Sequence, residues 1–155
     1  MSQKPLKKFI VDENFQPCPV MDGDELCPNG IFVFNITKMK DFINSRPDIF
    51  VPEDIAVKGK YHYFISVNEE HMPNVELSEP VILAEISPNS FNLIDGRHRI
   101  EKAHRMGIET IKAYKVNATY LPDFIVIKKG YLAFVEYWNS KLKTYNKYLK
   151  GAGKV

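Results

Sequence analysis

Apolar positions along this chain fall into short blocks whose spacing switches between strand and helix periods. Residues 31–36, IFVFNI, are mostly β-branched or aromatic and predict a buried strand. Met39, Phe42 and Ile43 then recur at helical spacing, so 37–45 predicts a short helix stopped ahead of Arg46-Pro47. The stretch 48–59 is less regular, and Pro52-Glu53-Asp54 predicts a turn of helix. Residues 61–67, YHYFISV, predict a second strand, and 81–86, VILAEI, a third, entered through Ser78-Glu79-Pro80. Ser87-Pro88-Asn89-Ser90 is a turn signal that makes 81–86 and 91–94 a hairpin. Asp95-Gly96 ends the hairpin, and 97–106 predicts a helix with Ile100 and Ala103 inward and Gly107 closing it. Residues 110–116 predict a strand beside the hairpin, reached by a crossover returning to the same sheet.

The last third is helical. Tyr131, Phe134, Val135, Trp138, Leu142, Tyr145 and Leu149 form one apolar stripe, far better suited to core than to base stacking. Pro122-Asp123 predicts an earlier short helix, with Gly130 interrupting before the long one. By contrast, residues 1–30 carry Pro5, Pro17, Pro19 and Pro28 with two Gly turns, and predict an irregular extended arm. The pattern gives an α+β fold in one domain: an arm over 1–30, a core over 31–120 and a helical extension over 121–155.

Composition changes this picture little. Hydrophobic residues make up 45% and charged residues 26% of 155 positions, as expected of a folded domain. A net charge of +2 excludes a strongly basic nucleic-acid coat. The charge is uneven, though, at −2 over 1–30 and +6 over 128–155. Lys141, Lys143, Lys147 and Lys150 lie mostly on the outer helix face, where they offer contact to DNA or simply to water. No apolar run is long enough for a membrane span, and the N-terminal stretch lacks a secretion signal. Cys18 and Cys27 are expected as reduced thiols in a cytoplasmic protein, and no His/Cys spacing predicts a metal site.

The chemistry concentrates at 95–99, DGRHR. Helix starts carry unpaired N–H groups and partial positive charge, so three basic residues there are unfavourable unless an anion meets them. Asp95 is a good N-cap, and Gly96, Arg97, His98 and Arg99 suit a phosphate, the alternative being that Arg97 and Arg99 extend into water and His98 packs locally. Glu69 and Glu70, in the polar loop 68–74, are further candidates for catalysis.

The segment 81–116 resembles the core of the ParB/sulfiredoxin-like superfamily, in a variant with an Asp-Gly-x-His-Arg loop. The shared pattern is Pro80 before a strand, a hairpin, Asp95-Gly96, His98-Arg99, Ala103, Gly107 and a final apolar strand. The resemblance implies a small mixed sheet flanked by helices and a nucleotide-phosphate site in that loop, with Pro80 and Val81 at the pocket edge. It implies ATP or CTP with Mg²⁺ as ligand, and NTP hydrolysis or small-molecule phosphotransfer as activity. Asp95 would then bind Mg²⁺ or activate a hydroxyl, with Glu69, Glu70 or Glu79 as base. Arg97 stands where sulfiredoxins keep their reactive cysteine, so cysteine repair is not expected. One long helix fills the place of a helix-turn-helix, which argues against partition-type clamping. A DNA-associated nuclease or adaptor, and a non-catalytic interaction protein of phage or plasmid origin, are the alternatives the family implies.

Overall fold

A computed structural model describes residues 6–62 and 66–152. The fold is α+β, with two small sheets flanked by helices and a long C-terminal helix. Strand β1, Leu26–Asn29, pairs antiparallel with β2, Phe32–Asn35. The arm expected over 1–30 therefore contains a strand. Gly30 is not only a break in the pattern: Asn29 pairs with Phe32, so Gly30-Ile31 is the two-residue turn of a hairpin, with Gly30 at φ 62° in its first position. Helix α1, Ile36–Ser45, follows at once, and Asn35 caps it by accepting from the Lys38 N–H at 3.0 Å.

The main sheet has the order β3-β6-β4-β5. Its edge strand β3, Glu53–Ala56, occupies the stretch expected to be helical. Antiparallel pairing to β6 overrides the local helix signal, placing Ile55 opposite Ile111. Of the strand expected at 61–67, residues 63–65 lie outside the described residues, while 61–62 form a turn and 66–67 no regular structure. Strands β4, Val81–Ser87, and β5, Ser90–Asp95, form the expected hairpin. Helix α2, Arg97–Arg105, then leads to β6, Thr110–Val116, which lies parallel to β4. The crossover thus returns to the same sheet, on the far side of β4 from β5.

Strand β4 is buried on both faces, which its apolar run, interrupted only by Glu85 before Ser87, anticipates. Alternate residues serve opposite layers. Ile82, Ala84 and Ile86 join the core made with β2, α1 and α3, whereas Val81 and Leu83 pack with Ile100 and Ala103 of α2. Buried Glu85 accepts from the N–H groups of Asn89 and Ala118 at 2.9 and 3.0 Å, joining the hairpin turn to the end of β6.

A 3-10 helix over Ala118–Phe124 precedes helix α3, Lys128–Ala152. Gly130 does not interrupt α3; it lies in its first turn. A Cβ there would come within 2.9 Å of the Ile31 carbonyl, so glycine permits the approach of the hairpin. The stripe Tyr131, Phe134, Val135, Trp138 and Leu142 is buried, but Leu149 emerges from the body at 40% exposure. Residues 6–15 run along α3. Asn139 both donates to and accepts from the Phe9 backbone, Trp138 Nε1 donates to the Lys7 carbonyl, and Phe15 stacks on Tyr131 at 3.9 Å. Among the described residues, no helix is long and apolar enough to cross a membrane.

Candidate functional site

The site is built from the turn between β5 and α2. Gly96 adopts φ 112° and is itself the N-cap of α2. Asp95, expected to cap the helix, does not, and no other side chain caps it among the described residues. The Asp95 carboxylate instead accepts from Arg99 Nη2 at 2.7 Å and pairs with Lys40 Nζ of α1 at 3.4 Å. Two cations in a buried corner outcompete the helix N–H groups for it. Burial alone would lower the Lys40 ammonium, but Asp95 and Glu79 more than offset this and raise it.

Arg99 is buried and committed. Its Nη1 donates to the carbonyls of Glu79 and Pro80, both at 2.9 Å, while Nη2 holds Asp95. The guanidinium thereby clasps the entry of β4 to the start of α2. Val81 lies fully buried beneath Gly96, and a Cβ on that glycine would overlap the Val81 side chain. Pro80 and Val81 are therefore supports of the loop. Pro80 lines a separate cavity of about 280 Å³ beside Lys40 and Tyr114.

Arg97 and His98 border a cleft that Asp95, Gly96 and Arg99 also line. This cleft of about 690 Å³ opens before α2, walled by Glu25 and Cys27 of the hairpin segment, His71 and Glu76 of the preceding loop, and Arg97 and His98. Arg97 is exposed and makes no ion pair among the described residues. His98 Nε2 accepts from the Asn68 N–H at 3.1 Å, so its proton sits on Nδ1. His71 meets the same ring edge-on, with centroids 5.0 Å apart. Burial, then Arg97 and His71, holds His98 below its ordinary value, which keeps the ring neutral at pH 7. Among the described residues, the cleft thus offers one guanidinium without an ion pair, imidazole N–H groups and an uncapped helix start.

Of the candidate acids, Asp95 and Glu79 line the cleft, and Glu69 and Glu70 do not. Glu69 forms a bidentate pair with Arg105 at 2.6 and 2.8 Å, and that pair depresses its carboxyl. Glu70 donates its backbone N–H to Asn68 Oδ1 at 3.1 Å, and neither glutamate lines the cleft. Arg105 and Lys102 instead fasten the loop to α2, Lys102 through the Val75 carbonyl at 2.7 Å. Glu79 does line the cleft, paired to Lys40 at 3.3 Å.

Four wall residues, Glu25, Cys27, His71 and Glu76, carried no local signal in the sequence. Cys27 is a free thiol. Burial, followed by Asp95 and Glu25, pushes it up despite Arg97, so it is a poor nucleophile here. Among the described residues, no three His, Cys, Asp or Glu side chains gather into a metal-holding group.

No family model matches the chain. It is similar to hypoxanthine/guanine phosphoribosyltransferases of Methanococcus maripaludis, at 37% identity over 79 residues, and of Methanococcus vannielii, at 35% over 79 residues. Each match covers 50% of this chain and 40% of the relative, so the chain spans well under half of the curated relatives it matches. No solved structure matches.

Proposed function

We propose that this chain binds a nucleotide-type phosphate ligand in the cleft before α2, as a ParB/sulfiredoxin-like protein. The observation that carries the reading is the uncapped first turn of α2 with unpaired, exposed Arg97 beside neutral His98. Helix N–H groups, a free guanidinium and an imidazole N–H are the donors a phosphate needs. The partial similarity to enzymes named for purine phosphoribosyl transfer agrees with a nucleotide ligand. Phosphoryl transfer from ATP or CTP is the finer expectation. It has less support, because Asp95 and Glu69 are engaged with arginines and Glu70 lies outside the cleft. Glu25 and Glu76 do not make a metal site, so Mg²⁺ would enter on the ligand's phosphates.

A thermal-shift screen tests this. At a ligand concentration of 100 times Kd, stabilisation is about 2.7 kcal/mol, or a rise of roughly 5–10 °C for a domain of this size. At least one of AMP, GMP, ATP, CTP or GTP should give such a rise, and Arg97→Ala should remove it. No rise with any of them overturns the proposal.

One observation favours a second reading, that of a DNA contact. Lys141, Lys143, Lys147 and Lys150 are all exposed along α3. If they meet DNA, retention on a duplex falls steeply with salt and the slope flattens when the four are changed to Gln. No retention at low salt removes this reading.

A further inference from the structure

The cations around the cleft divide into those already spent and those left over. Lys40 and Arg99 are bound to Asp95 and Glu79. Lys102 is bound to the Val75 carbonyl, and Arg105 to Glu69 and Glu101. Among the described residues lining the cleft, Arg97 is the guanidinium left to a ligand, assisted by His71, His98 and the first turn of α2. The same cleft is also lined by the carboxylates of Glu25, Glu76, Glu79 and Asp95. Glu25 and Glu76 are exposed and make no side-chain ion pair among the described residues.

This inventory suits a single phosphate. One guanidinium and a helix start match one dianionic group. A second or third phosphate would add charge to a cleft that Glu25 and Glu76 already make acidic, with no further unpaired cation among its described lining residues to neutralise it. Unpaired carboxylates instead accept hydrogen bonds from hydroxyl groups. We propose that the cleft takes a phosphate monoester carried on a hydroxyl-bearing body, a nucleoside monophosphate or sugar phosphate rather than a nucleoside triphosphate. The phosphate lies at Arg97 and the α2 N-terminus, and the hydroxyls lie toward Glu25 and Glu76. This rests on the nucleotide-phosphate reading above and narrows its substrate class.

Titration calorimetry of the full chain at constant ionic strength tests it. The ligands are GMP, AMP, ribose 5-phosphate and inorganic phosphate against GTP and ATP, each in EDTA and in Mg²⁺. In EDTA the monophosphates should bind about tenfold more tightly than the triphosphates, since two exposed carboxylates each bias binding by a few fold. Mg²⁺ should leave monophosphate affinity unchanged and should not lift the triphosphates above it. The double variant Glu25→Gln, Glu76→Gln touches only exposed side chains. It should close the gap by improving triphosphate binding and weakening ribose 5-phosphate, with inorganic phosphate unaffected. Binding of GMP but not of ribose 5-phosphate assigns the body to a nucleoside; equal binding assigns it to the sugar phosphate. Tighter binding of GTP or ATP than of its monophosphate in either buffer overturns this inference and leaves the phosphate site standing. No binding of any of these ligands, inorganic phosphate included, overturns both.

Discussion

Replacing Gly96 by alanine isolates the tightest joint beneath the cleft. The residue adopts φ 112°, where an L side chain is strained by about 1–2 kcal/mol. Its Cβ would also stand 2.7 Å from Val81 Cβ and 3.3 Å from Arg99 Nη2. Val81 is fully buried between β6 and α2, so it cannot swing away, and overpacking of this kind costs about 1–3 kcal/mol. The sum, about 3 kcal/mol, should lower the melting temperature by roughly 6–12 °C in a domain of this size. Gly107→Ala is the matched control. That glycine also has positive φ, at 71°, but a Cβ there meets nothing within 4 Å. It should cost about 1 kcal/mol of strain alone. Urea unfolding of the two variants side by side separates clash from strain. Equal losses in the two would refute the account of Gly96 as a contact-limited position.

Three further outcomes are expected. Arg99→Ala strips a buried carboxylate and two carbonyls of their donor, and should lose about 3–5 kcal/mol in urea unfolding; Arg97→Ala, exposed and unpaired, should stay within about 0.5 kcal/mol of the parent. His98 is held below its ordinary value of 6.5, so the unfolded chain binds protons more readily. Its contribution to stability is therefore complete above 6.5 and is lost as pH falls below that value. A His98→Gln variant should show a shallower decline over that range, and an unchanged profile counts against the assignment. Cys27 should alkylate with iodoacetamide more slowly than a free cysteine at pH 8, its thiol being pushed up by burial.

The elements that were legible in the sequence are those whose periodicity and burial agree. Strand β4 is apolar at every position from Val81 to Ile86 except Glu85 because both its faces are covered, and α2 needs only Ile100 and Ala103 to mark its inner side. Strand β3 was not legible: Glu53-Ile55-Ala56 carries one buried side chain, and its conformation comes from β6. The division of labour within DGRHR was likewise hidden. Three basic residues in succession look alike on paper, yet a helical step of about 100° per residue sends them to different surroundings. Arg99 turns to the carbonyls before β4, His98 to Asn68, and Arg97 to the cleft. Cys27 and Glu25 could join the site only through pairing of β1 with β2, a tertiary fact that no local pattern encodes.

The contacts that tie residues 7–15 to α3 bear on how the chain is made. Phe9 and Asn139 are 130 positions apart, so during synthesis the early segment emerges long before its partner exists. At about 5–20 residues per second, that interval is on the order of 10 s. Meanwhile Phe9 and Phe15 have no rings to pack against, and the faces of β2 and β4 that α3 will cover are open to water. Closing so long a loop is entropically slow to begin but adds little further cost with length. Docking of the early segment should therefore be the last event of folding, completed only once α3 has cleared the ribosome. Until then the nascent chain presents apolar surface suited to a chaperone.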